Sequence, residues 1–205
     1  MKGYRTILRI IPGLVGAAWM NGSCSGAALA QGPSFFCAKA RTGSIEEMIC
    51  SDRTLSSLDR KLADVYMEAS KATNTHRSAL QEEQRGWIKG RDECWKSNDK
   101  RRCVEEVYKL RIAELQALYR LVPGLAPVTF ACDDDPPSEV IAIFFRTDPP
   151  TMVARRGDSM SLMYVQPSGS GARYQGPNES FWEHQGEALV TWGYGAPEMR
   201  CKKVP

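Results

Sequence analysis

Bond-making chemistry at a protein site needs a nucleophile beside a base, or a bound metal, and this chain offers little of either. It has only two histidines, His76 and His184, far apart and each in a polar context, so no serine or cysteine triad suggests itself. No C-x-x-C pair occurs among its seven cysteines, and a zinc set would need such close Cys or His pairs. Carboxylates can work in pairs, as in glycoside cleavage, but a chain of 205 residues holds too many to single out two. Nucleophile-elbow, phosphate-loop and dinucleotide fingerprints are missing. The expectation is a binding protein, not an enzyme, with no cofactor and no metal. Arg156-Gly157-Asp158 spells an adhesion tripeptide, yet between two extended runs it reads as a turn. The segment that stands out is Pro167-Ser168-Gly169-Ser170-Gly171-Ala172-Arg173-Tyr174. Gly169 and Gly171 permit unusual backbone angles and leave Ser170 with little bulk around it. Such a loop can carry a small hydroxyl into a narrow cleft.

The elements that would hold this loop fall into two halves with different periods. From Ser44 to about Leu121 apolar residues recur at helical spacing. Ser44 with Glu47 forms a capping pair, Asp52 can cap again, and Leu55, Leu58, Leu62, Val65 and Ala69 share one face of a first helix. After Thr73-Asn74-Thr75, a second helix aligns Leu80, Gln84, Trp87, Arg91 and Cys94. A third, from about Arg101, aligns Val104, Tyr108, Ile112, Leu115 and Leu118 and stops before Pro123-Gly124. From Val128 onward the texture becomes eight short β-type runs: Val128 to Cys132, Glu139 to Arg146, Thr151 to Arg155, Ser159 to Gln166, Ala172 to Gln175, Ser180 to His184, Ala188 to Trp192 and Met199 to Lys203. Turn residues separate them, which indicates a sandwich or small barrel. The expected architecture is α + β: a helical bundle over 31–122, a linker over 123–127 and a β domain over 128–205.

Residues 1–30 read as a secretory signal: basic Lys2, Arg5 and Arg9, the apolar run Ile10 to Met20, and Ala28-Leu29-Ala30 before Gln31. A rival reading acylates Cys24, although Asn21-Gly22-Ser23 fits a lipoprotein signal poorly. A periplasmic or secreted protein is expected, membrane-bound only if Cys24 carries lipid. The formal charge of +3 resides entirely in this segment, leaving 24 basic and 24 acidic residues. A neutral body argues against a nucleic-acid partner. Within it, residues 31–123 carry net +3 and residues 124–205 net −3. Asp133-Asp134-Asp135 and Glu179, Glu183 and Glu187 would favour a basic partner if they are more than solvated loop charges. Cleavage before Gln31 leaves six cysteines, an even number suited to three disulfides in an oxidising compartment.

Ser170-Gly171-Ala172-Arg173-Tyr174, then Phe181-Trp182 and Glu187-Ala188, framed by Cys132 and Cys201, resemble the MliC/PliC family of bacterial inhibitors of c-type lysozyme. The resemblance covers about residues 125–204 and implies an eight-stranded antiparallel barrel closed by a Cys132–Cys201 disulfide. It also implies a mechanism. Ser170 would enter the lysozyme cleft and hydrogen-bond to the two catalytic carboxyls, because a hydroxyl both donates and accepts. A lysine two residues after the tryptophan would reach one of them. That position is His184 here, and the glycine after it is Gln185. An imidazole can still hydrogen-bond a carboxylate, and beside one it can take up a proton, which implies a weaker or pH-dependent contact. The implied lysozyme-facing set is Ser170, Gly171, Arg173, Tyr174, Glu183 and His184, with Trp182 and Glu187 as loop support and Tyr174 bracing more than touching.

The helical half resembles the LprI-like N-terminal domain, some of whose members inhibit lysozyme. The matching residues are Phe36-Cys37-Ala38-Lys39-Ala40, Glu46 to Cys50, Leu58-Asp59, Tyr66, Gln84, Trp87, Arg91-Asp92, Cys94, Cys103, Tyr108 and Arg111-Ile112. Gln84, Arg91 and Asp92 can be read as a ligand-contacting set or as a network tying helices together. The remaining four cysteines allow three pairings, of which Cys94 with Cys103 and Cys37 with Cys50 are favoured. The leading reading is an exported inhibitor whose protein partner is c-type lysozyme. The alternative is an envelope interaction or scaffold module that binds another protein or a glycan.

Overall fold

A computed structural model describes residues 32–73, 76–132 and 138–204. The signal-like segment, Cys24, Gln31 and Asp133-Asp134-Asp135 lie outside the described residues.

The helical half contains α1 (Ile45–Ser51), α2 (Arg53–Ala72), α3 (Arg77–Asp92) and α4 (Lys100–Leu118). Periodicity alone suggests a single helix after Ser44, and the structure divides it in two at Asp52. The Ser44 hydroxyl accepts from the Glu47 amide, and the Asp52 carboxylate accepts from the Thr54 and Leu55 amides at 2.8 and 3.0 Å. Asp52 is itself extended, so its side chain starts a new helix where its backbone ends the old one. Behind these caps, Ile49, Leu55, Leu62, Leu80, Val104, Tyr108, Ile112 and Leu115 form one buried cluster. Disulfides Cys37–Cys50 and Cys94–Cys103 fasten its edges, the second across the turn between α3 and α4.

The second half is a closed barrel of eight antiparallel strands: β1 (Val128–Cys132), β2 (Glu139–Phe145), β3 (Thr151–Arg156), β4 (Ser159–Gln166), β5 (Ala172–Gln175), β6 (Glu179–His184), β7 (Glu187–Trp192) and β8 (Glu198–Lys203). Each strand expected from sequence is present, with ends within one residue. Alternate residues turn inward, so Phe130, Val140, Met152, Met163, Phe181 and Val190 fill the interior. The meander closes where β1 meets β8, and there Cys132 and Cys201 face each other in register and are disulfide-bonded.

The two halves are clasped. Gly124 bridges to Phe145 and the Leu125 amide donates to the Phe144 carbonyl at 2.9 Å, so the linker extends the sheet. A side chain at 124 would collide with Ile143, its Cβ lying 2.7 Å from Ile143 Cγ2. Helix α4 packs on β3, and the Tyr164 hydroxyl of β4 donates to the Leu110 carbonyl at 3.3 Å. Burial, with the nearby Glu114 carboxylate, pushes the Tyr164 phenol well above its ordinary value, so it stays a neutral donor.

Candidate functional site

In an up-and-down meander, alternate connections leave the same end of the barrel. The β4–β5 loop carrying Ser170 therefore shares an end with the β6–β7 turn that follows His184. Ser170 is exposed, and its backbone is held from two sides. The indole Nε1 of Trp182 donates to the Ser170 carbonyl at 3.0 Å, and the Ser168 hydroxyl donates to the same oxygen. Gly171 sits at φ +67°, and a Cβ there would lie 2.1 Å from the Glu183 carbonyl oxygen, so only glycine lets the loop settle against β6. The carbonyl is tied down while the serine side chain stays at the surface.

The neighbouring turn is a two-residue hairpin with Gln185 at φ +54° and Gly186 at φ +84°, both in the left-handed region that a type I′ turn requires. Glu183 accepts from the Gly186 amide at 3.1 Å, and Lys203 of β8 donates its amide to the Gly186 carbonyl at 2.8 Å. His184, exposed at the mouth of this turn, lies opposite Glu187. Ser170, Trp182, His184, Glu187, Leu189 and Arg200 share a concavity of about 230 Å³.

Not every residue singled out from sequence stands on this surface. Tyr174 turns into the barrel beside Phe144, with ring centroids 5.4 Å apart, and burial raises its phenol pKa. It belongs to the barrel core. Arg173 is exposed, paired in register with Trp182. The acids are less free than their clustering in sequence suggests. Glu183 shapes the turn, Glu187 faces Arg200 at 3.5 Å, and Glu179 lies at the opposite end of β6, accepting from the Ser161 hydroxyl at 2.7 Å. Leu189 and Arg200 escaped the sequence reading, because strand register sets Leu189 opposite Trp182 and Arg200 opposite Leu189.

In the helical half, Arg91 and Asp92 belong to one polar network linking helices and Gln84 to a separate contact. Buried Arg91 donates to the Tyr108 hydroxyl at 3.0 Å and to Asp92 Oδ1 at 2.9 and 2.6 Å, and approaches Glu46 at 3.5 Å. Tyr108 donates to Asp59 at 2.8 Å, and the other Asp59 oxygen takes the Ser34 amide and hydroxyl. Desolvation of Tyr108, reinforced by the Asp59 carboxylate, holds its proton far above the ordinary range. Gln84 accepts from Arg111, joining α3 to α4. Around Arg91 every residue is hydrogen-bonded, as a buried polar network requires, whereas the buried Nη2 of Arg111 has no hydrogen-bond partner among the described residues and approaches Glu83 only to 3.8 Å.

Comparison with known proteins defines the class in two parts. Residues 130–199 match the family model described as membrane-bound lysozyme-inhibitor of c-type lysozyme, MliC, and residues 37–115 match the model described as lysozyme inhibitor LprI. An LprI-type helical unit followed by an MliC-type barrel is thus the class of protein in hand. Over 162 residues the chain is 33% identical to proteins named lipoprotein LprI from Mycobacterium bovis and from Mycobacterium tuberculosis H37Rv, covering 78% of this chain and 80% of theirs. The chain belongs to the LprI family. No solved structure gives a significant match.

Proposed function

We propose that this protein is an exported, non-catalytic inhibitor that blocks the active-site cleft of c-type lysozyme with the Ser170 loop, assisted by His184. The observation that carries the reading is the Ser170 brace: Trp182 holds the carbonyl and Gly171 lies against Glu183, which leaves the hydroxyl at the surface on the same barrel end as His184. A fixed backbone lowers the ordering cost of inserting one small side chain into a cleft. The cleft presents one protonated and one ionised carboxyl, and a hydroxyl can donate to the second while accepting from the first. His184 supplies a further ring N–H donor to a carboxylate. Both family models describe lysozyme inhibitors and the relatives are named lipoproteins, which supports an envelope location for this chain as well. Among the described residues no helix is long and apolar enough to cross a membrane.

The test is inhibition of a c-type lysozyme by oxidised 31–205 protein, with a g-type lysozyme as control. Ser170→Ala is expected to weaken inhibition by about 10- to 100-fold, the value of a hydrogen bond to a charged partner in a desolvated cleft. No inhibition by the wild-type protein at equimolar concentration would favour the interaction or scaffold module instead.

A further inference from the structure

The barrel end accounts for the Ser170 motif, but the residues by which the helical half resembles LprI-like domains are unused by that mechanism. Several meet at one place. Phe36, Lys39, Ala40, Glu46 and Asp92 line a cavity of about 670 Å³ beside the 3-10 turn Cys37–Lys39, with Trp95 completing it. That volume lies within the range of small-ligand sites. Two aromatic side chains on it lie open: Phe36 is 72% exposed and Trp95 58%. Neither contributes to the helical core cluster, so folding does not explain their size. The Trp95 ring has Lys96 above it at 5.4 Å, and Lys96 is itself paired with Glu93. Its segment is fastened by the neighbouring Cys94–Cys103 bridge, and that of Phe36 by Cys37–Cys50.

The polar side of the cavity is equally ordered. Buried Arg91 takes Asp92 by Oδ1 alone and Glu46 by Oε1 alone. A carboxylate has about four acceptor sites, so both groups keep capacity for hydroxyl or amide donors while staying in place. Although partial burial opposes it, the backbone amide, the Ser44 hydroxyl and Arg91 keep Glu46 below its ordinary value, an anion at neutral pH. Lys39 and Arg41 add donors on the same lining. Open rings beside fixed acceptors and flexible donors, with the charges in balance, suit a ligand that has apolar C–H faces, many hydroxyls and amides, and little net charge. A strongly anionic ligand would meet Glu46 and Asp92, and a cationic one Lys39 and Arg41.

We propose that this cavity binds a short oligosaccharide of acetamido sugars, whose C–H faces stack on Trp95 and Phe36 and whose hydroxyl and amide groups bond to Glu46, Asp92 and Lys39. The site stands apart from the Ser170 loop and does not rest on the lysozyme reading. The two surfaces together would let one chain hold a polysaccharide of the class lysozyme cleaves while offering its barrel to the enzyme.

The experiment is titration of the oxidised 31–205 protein with tetra-N-acetylchitotetraose, followed by calorimetry and by tryptophan fluorescence, in wild type, Trp95→Ala, Phe36→Ala and Ser170→Ala. Saturable binding is expected, weakened about tenfold by each aromatic truncation and unchanged in Ser170→Ala. Phe36→Ala guards against misfolding, because that ring lies outside the core, and far-UV dichroism checks both variants. Absence of saturable binding at millimolar oligosaccharide, or binding that both aromatic variants retain, would overturn the proposal. Loss of binding in Ser170→Ala alone would place the sugar on the barrel and overturn it equally.

Discussion

Gly171 and Gln185 occupy the same backbone region in two loops at one barrel end, and their outcomes differ because one is glycine. At Gly171 positive φ and the Glu183 carbonyl act together. Gly171→Ala is expected to cost about 2 kcal/mol or more and to lower inhibition further than melting explains, since relieving a 2.1 Å contact must displace the Ser170 backbone. At Gln185 a left-handed conformation is borne by a residue that has a Cβ. Gln185→Gly should stabilise the protein by roughly 0.5 to 1 kcal/mol, read as a higher urea midpoint at unchanged slope. The Ser170 loop was visible in the sequence because its glycines advertise backbone freedom. What held the loop was not, for nothing in the type of Trp182 says that its N–H meets a carbonyl twelve residues away. The acids illustrate the reverse case, in which Glu183 and Glu187 look available in the chain and are engaged in the fold.

Strands were easier to read than helices, for a physical reason. In the barrel nearly every turn is written in Gly, Pro, Asn or Asp, and inward and outward residues alternate, so period and punctuation agree. In the helical half the same apolar period runs across Asp52, and only its capping chemistry reveals the break between α1 and α2. Asp52→Ala should therefore cost about 1 kcal/mol at neutral pH. The Leu55 amide, with Arg101, holds the Asp52 carboxyl below its ordinary value of 3.8. A carboxyl with a depressed folded pKa stabilises above its unfolded pKa, and that contribution disappears as pH falls through the folded one. The difference between wild type and Asp52→Ala should thus be full above about pH 5 and shrink below about pH 4, as measured by chemical denaturation across that range. The docking of α4 on the barrel left no sequence signal, because the hydrogen bond there runs from the Tyr164 hydroxyl to the backbone carbonyl of Leu110, an acceptor that every residue type offers.

The chain is two cores joined by a clasp, and the barrel core depends on one crosslink more than its strands suggest. Cys132 and Cys201 close a loop separated by 69 residues, and replacing both with alanine should cost on the order of 4 kcal/mol in the chain-entropy account, seen as a lower guanidinium midpoint. This bridge sits at the seam where the first and last strands meet, and a closed barrel has an edge nowhere else. While the thiols are reduced, opening at that seam exposes two unpaired strands of complementary register. A second copy in the same condition can supply the missing partner to each. Reduced protein at high concentration is then prone to exchange terminal strands between copies, which makes oxidation a guard against intermolecular assembly as well as a brace for the single molecule.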